Sequence, residues 1–110
     1  KILILGLSFK ENCPDIRNTR VIDIVKGFES YNAIVDVFDP LVDQNDSIKE
    51  YGIDPSLEPV PKKYDAIVLA VAHDVFGSLS VDHIKSYGKE NHALYDVKYI
   101  LDAKDSDGRL

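Results

Sequence analysis

The sequence predicts an α/β domain: a Rossmann-like, doubly wound sheet, mainly parallel, with helices on both faces. Three observations predict it. Apolar runs at residues 2–5, 34–38 and 66–71 are nearly unbroken, as expected of strands covered on both sides. Helical periodicity lies between them. Each run stops on a turn signal: Gly6, Asp39-Pro40 and Ala72-His73. Right-handed crossovers then place the first strand inside the sheet.

Residues 2–5 (I-L-I-L) form the first strand. Asn12, Pro14 and Asp15 make the next segment a loop, and Asn18 or Thr19 can cap the helix that follows. Val21, Ile24, Val25 and Phe28 fall at i, i+3, i+4 and i+7, and the helix ends near Tyr31-Asn32. Residues 34–38 (I-V-D-V-F) are β-branched and aromatic, a second strand. Residues 45–51 suit a short helix ended by Gly52. Pro55, Pro59 and Pro61 mark a connector, within which residues 57–60 suit a short edge strand. Residues 66–71 (A-I-V-L-A-V) are the most apolar run and read as a central strand. A helix over 81–87, capped by Ser80 and ended by Gly88, leads to a short strand at 93–95. Residues 99–101 are apolar, and the end from Asp102 is polar.

With 110 residues the chain is one domain, 1–110. No apolar run approaches a membrane span and no signal peptide opens the chain, so a cytoplasmic setting is expected. The absence of methionine suggests a piece of a longer protein. A formal net charge of −6 argues against nucleic-acid binding and makes local basic clusters informative. The single cysteine, Cys13, excludes an internal disulfide, and the three histidines show no metal-ligand spacing.

In such a sheet, ligands bind beyond the carboxyl ends of the strands. That rim would gather Phe9, Lys10 and Arg17 after the first strand and Asp39 after the second. His73 and Asp74 would follow the third, and Asp96 and Lys98 the last. Lys10, Arg17, Arg20 and Lys98 would make it locally basic beside a helix start, which suits a phosphate or pyrophosphate. Plainer roles stand beside these. Lys10 and Arg17 could be solvated charges paired with Glu11 and Asp15. Asp39 could serve a ribose hydroxyl, but Asp-Pro is more often a turn. His73 is more readily a cap for local backbone than an acid or base. Cys13, with no base near it in sequence, reads as an inert thiol. The dinucleotide fingerprint G-x-G-x-x-G fails: the segment is G-L-S-F-K-E, with one glycine. A receiver domain fails too, lacking aspartates at the required strand ends.

The segment G-L-S-F-K-E-N-C-P-D-I-R-N-T-R resembles the start of the C-terminal, UDP-binding domain of the UDP-glucose/GDP-mannose dehydrogenase family. Gly6, Phe9-Lys10, Asp15-Ile16-Arg17 and Asn18 fall on that family's pattern. So do Phe38-Asp39-Pro40, Ala70-Val71-Ala72-His73, Phe76 and Asp96-Val97-Lys98. The forms E-N-C-P-D-I-R-N and A-V-A-H look most like the branch acting on UDP-N-acetylhexosamines, such as the enzymes of Vi-type polysaccharide synthesis.

The resemblance implies an NAD-dependent 6-dehydrogenase. Such enzymes oxidise the sugar C6 alcohol to a carboxylate through a thiohemiacetal. It also implies that the catalytic cysteine, the catalytic lysine and the NAD fingerprint belong to N-terminal and central domains, so no catalytic residue lies in this piece and Cys13 is not the nucleophile. Phe9 and Lys10 then match the pair contacting the nucleotide of the UDP-sugar. Arg17 matches the arginine that reaches towards the cofactor. Lys98 falls where many members carry a basic residue near the substrate, although Tyr99 beside it departs from the commoner pattern. The full chain would be a homo-oligomer. A different class, a non-catalytic α/β docking module, would use the same fold without the UDP-sugar.

Overall fold

Five strands form one parallel sheet in the order β2-β1-β3-β4-β5. The computed structural model describes residues 1–98 and 100–109. Along the chain run β1 (Ile2–Leu5), α1 (Val21–Ser30), β2 (Val35–Phe38), α2 (Gln44–Tyr51) and β3 (Tyr64–Leu69). The short helices α3 (Asp74–Gly77) and α4 (Val81–Lys85), then β4 (Gly88–Asp96) and β5 (Gly108–Arg109), complete it. The first strand is interior, as expected, and β3 is the middle of the sheet.

Alternation along the strands sends side chains to two cores. Ile4, Val37 and Val68 face one side, where α1 covers them with Val21, Ile22 and Val25. Leu3, Leu5, Ile67, Leu69 and Leu94 face the other, under Phe76 of α3 and Ile84 of α4. Helices therefore lie on both faces, and the reversal between the β1-to-β2 and β3-to-β4 crossovers puts them there.

Several expectations are corrected. Neither Asn18 nor Thr19 is the N-cap of α1. That position is Arg20, which makes no side-chain cap, while Thr19 Oγ1 accepts from the Val21 N–H at 3.2 Å. The buried stripe of α1 turns towards Ile22, leaving Ile24 and Phe28 only partly covered. Residues 57–60 form no strand: Leu57 and Val60 are exposed, and the prolines around them cannot sustain a ladder. Residues 70 and 71 lie beyond the end of β3. Gly88 does not close a helix but opens β4, which is nine residues long and begins well before residue 93. Its early part is polar and exposed, which hid it. Gly52 and Ser80 behave as predicted. Gly52 is left-handed at φ 70° after α2, and Ser80 Oγ accepts the His83 N–H at 3.0 Å. The reading of Tyr99 lies outside the described residues.

Candidate functional site

The site begins at Gly6. Its φ is +104°, and a Cβ there would lie 2.6 Å from the Cβ of Val71. Only glycine lets β1 turn out of the sheet against the β3 exit. The turn aims the N–H groups of Leu7 and Ser8 at one carboxylate oxygen, Asp39 Oδ2, at 2.8 and 3.1 Å. Asp39 Oδ1 accepts from the Leu41 N–H at 3.0 Å. His73 Nε2 lies 2.8 Å from Asp39 Oδ2 and 3.1 Å from Ser8 Oγ. Ser8, Asp39 and His73 are all 1% exposed.

The protonation state of His73 follows from its other nitrogen. Nδ1 lies 2.8 Å from the backbone nitrogen of Asn12, which can only donate. Nδ1 therefore offers a lone pair, and the ring hydrogen sits on Nε2, directed at Asp39. The contact is a hydrogen bond from a neutral ring and not an ion pair. Ser8 Oγ passes its own hydrogen to the Lys10 carbonyl at 2.9 Å. The Asn12 side chain accepts from the Asp74 N–H at 2.9 Å, with Asn12 itself at φ 57°.

Further bonds fix the rest of the loop. The Phe9 N–H donates to the Asp15 carbonyl at 2.7 Å, and Tyr51 Oη donates to the Ile16 carbonyl at 2.6 Å. On this fastened loop Phe9 is 58% exposed and Lys10 is also open to solvent. Phe9 and Lys10 line a cleft of about 520 Å3 with Arg20, Ala70, Val71, Val97 and Lys98. The cleft lies over the ends of β1, β3 and β4, at the point where the strand order reverses. Buried Asp96, next to Val97 in the chain, accepts from the N–H groups of Ile100 at 3.0 Å and Leu101 at 2.7 Å just past Lys98.

The basic rim is smaller than the sequence suggested. Lys10, Arg20 and Lys98 share the cleft with Glu11 and Asp23, and Arg20 lies 3.7 Å from Asp23. Lys10 and Lys98 form no ion pair among the described residues. Arg17 stands apart, in a second depression with Pro14, Asp46, Lys49 and Glu50. It makes two bonds of 3.0 Å to the Asp15 carboxylate, Nε to Oδ1 and Nη2 to Oδ2. The guanidinium holds the Asp15 carboxyl below its usual range. Cys13 is half-buried, and no group of three metal-ligating side chains converges among the described residues.

The loop does not suit a dinucleotide. In a fold of that kind the first N–H groups after β1 meet the pyrophosphate. Here an internal carboxylate already holds both, and the fingerprint's second and third glycine positions are Ser8 and Glu11.

Residues 3–103 match the model of the UDP-glucose/GDP-mannose dehydrogenase family, UDP binding domain. The chain belongs to this family. It is 52% identical over 110 residues to a UDP-N-acetyl-D-glucosamine 6-dehydrogenase of Pseudomonas aeruginosa, a match covering 100% of this chain and 26% of that protein. A protein of the same name from Salmonella typhi is 52% identical over 109 residues, covering 99% and 26%. The chain thus spans about a quarter of the length of these relatives. Among solved structures, an NDP-N-acetyl-D-galactosaminuronic acid dehydrogenase from Methanosarcina mazei Go1 aligns at a TM-score of 0.79 and 27% identity, over 96% of this chain and 22% of that one. A UDP-D-ManNAc dehydrogenase from Pyrococcus horikoshii aligns at 0.71 and 26%, over 98% and 24%.

The UDP-binding domain thus brings Phe9, Lys10 and Lys98 to one cleft and turns Arg17 elsewhere. Sequence reasoning placed Asp39 and His73 on the same rim but missed the bond between them and the part played by Asn12. The available signal was positional: each is a polar residue just past an apolar run, beyond the strands that flank β1. No helix among the described residues is long and apolar enough to cross a membrane.

Proposed function

We propose that this chain is the C-terminal, UDP-sugar-binding domain of a cytoplasmic, homo-oligomeric, NAD-dependent nucleotide-sugar 6-dehydrogenase. The substrate is a UDP-N-acetylhexosamine, oxidised from C6 alcohol to carboxylate for polysaccharide synthesis. Family membership and the 52% identity to two UDP-N-acetyl-D-glucosamine 6-dehydrogenases support this reading.

One observation of geometry carries the assignment of the site. An aromatic ring that is 58% exposed and an ammonium that forms no ion pair among the described residues stand side by side on a loop fastened at Leu7, Ser8, Asn12 and Ile16. Phe9 offers a face to a planar base, and Lys10 offers charge to a diphosphate. Lys98, from the end of β4, supplies a second cation to the same cleft. The loop does not itself suit the NAD pyrophosphate: Phe9, Lys10 and Lys98 bind and orient the substrate, and Arg17 reaches towards the cofactor held by another domain. Affinity for the remote UDP holds the sugar where other domains react with it.

Steady-state kinetics of the full-length enzyme with UDP-N-acetyl-D-glucosamine test this. Lys10→Ala is expected to raise KM for the nucleotide sugar about ten- to a hundredfold, the range for losing a charge-assisted hydrogen bond. An unchanged KM overturns the role given to Lys10.

A further inference from the structure

We propose that the buried Asp39–His73 pair is a positioning device for UDP recognition, setting the affinity of the cleft by locking the arch that carries Phe9 and Lys10. The inference rests on the reading of that cleft as the UDP-sugar site. Neither residue lines the cleft, and neither side chain reaches solvent.

The argument is one of connectivity. Phe9, Lys10 and Glu11 form an exposed three-residue arch between Ser8 and Asn12. One foot is held by Asp39, through the N–H groups of Leu7 and Ser8. The other foot is held by His73, through the N–H of Asn12. The 2.8 Å bond from His73 Nε2 to Asp39 Oδ2 joins the two anchors, so the pair links the two feet through the interior. Ser8 completes the closure by bridging His73 and the carbonyl of Lys10. Asn12 is fastened a second time, by its side chain to the Asp74 N–H. A flexible arch would have to be ordered when UDP binds, and that entropy would subtract from affinity. The pair orders it beforehand.

The pair therefore acts through Lys10, which gives the test its form. His73→Ala, His73→Gln and His73→Asn are each made in the full-length enzyme, alone and with Lys10→Ala. KM for UDP-N-acetyl-D-glucosamine, kcat, KM for NAD and Tm are measured. His73→Ala is expected to raise the nucleotide-sugar KM about tenfold or more, as misplacement of a binding group does. KM for NAD should not change. His73→Gln, whose amide can accept from Asn12 and donate to Asp39, is expected to restore most of the loss. In the Lys10→Ala background, His73→Ala should add little. Full additivity there, or an equal rise in KM for NAD, overturns the proposal and leaves His73 a general support of the fold. Should His73→Ala fail to fold, His73→Asn decides: its side chain keeps an acceptor for the Asn12 N–H but is too short to reach Asp39, so it is expected to raise the nucleotide-sugar KM, and no rise overturns the lock. If Lys10→Ala alone leaves KM unchanged, the reading of the cleft fails and the proposal with it. If Lys10→Ala raises KM while His73→Ala and His73→Asn do not, the proposal alone fails.

Discussion

A missing side chain at Gly6 is the smallest feature on which the site depends. Alanine there would face two penalties together, a φ of +104° and a Cβ 2.9 Å from the backbone nitrogen of Val71. Backbone of that kind and overpacking each cost roughly 1–3 kcal/mol. Gly6→Ala is expected to lower stability by about 3 kcal/mol or more, read from the urea midpoint. A loss below about 1 kcal/mol would mean that the β1 exit yields easily. This glycine was legible in the sequence, because a lone glycine ending an apolar run has few other reasons to be there. The turn at Asp39 was legible too, with Oδ1 accepting the Leu41 N–H, whereas the backbone that His73 caps is the distant Asn12 N–H, and the bond between Asp39 and His73 was not legible. Their bond joins residues 34 positions apart, and local pattern carries no information about such pairs. What the sequence did show was that both stand at strand exits on one rim.

At the scale of elements, continuous apolar patterns predicted well and mixed ones did not. β1 and the centre of β3 were read from their composition. β4 was read too short because Lys89, Glu90 and Asn91 are exposed at its start, where no layer covers them. The stretch 57–60 was read as strand from Leu57 and Val60, although prolines on both sides deny it a ladder. A polar tie missed by the same reasoning joins β2 to β3 across β1. Tyr64 Oη donates to Asp36 Oδ2 at 2.7 Å, and Lys63 Nζ lies 3.2 Å from the same oxygen. Burial, then the bond to Asp36 and its charge, raise the Tyr64 phenol well above its ordinary value. Burial pushes the Asp36 carboxyl up, but the bonds from Tyr64 and Lys63 outweigh it and leave it lowered. The signs are opposite. The raised phenol gives stability that is whole below about pH 10 and lost above it, while the lowered carboxyl gives stability lost below about pH 4. Tyr64→Phe is expected to cost about 1 kcal/mol at neutral pH, with the gap from the parent narrowing above about pH 10. Melting curves across that range check it, and a constant gap would show that the phenol's ionisation is not coupled to folding.

On the scale of the whole molecule, the two exposed cationic places of the β1 loop look in different directions. Lys10 belongs to the cleft, and Arg17 to a depression of its own. Asp15 takes Nε and Nη2 of Arg17, and Nη1 of this 84% exposed side chain forms no hydrogen bond among the described residues. On the proposed reading that nitrogen serves the cofactor held by another domain. Arg17→Ala in the full-length enzyme is then expected to raise KM for NAD severalfold while sparing that for the nucleotide sugar. A normal NAD titration would remove the assignment. The general outline, a parallel sheet whose strand exits share a rim, was legible because the physics of crossovers leaves few alternatives. The division of that rim into two directions was not, since it depends on how the loop folds between Asn12 and Arg20. The carboxylate under this loop has a further consequence for anyone redesigning the domain. Glycines placed at positions 8 and 11 would restore the written fingerprint of a dinucleotide binder, yet the incoming pyrophosphate would meet Asp39, a fixed negative charge already holding the donors it needs. Changing what this fold binds would start at residue 39, at the exit of a different strand from the motif that a sequence search would inspect.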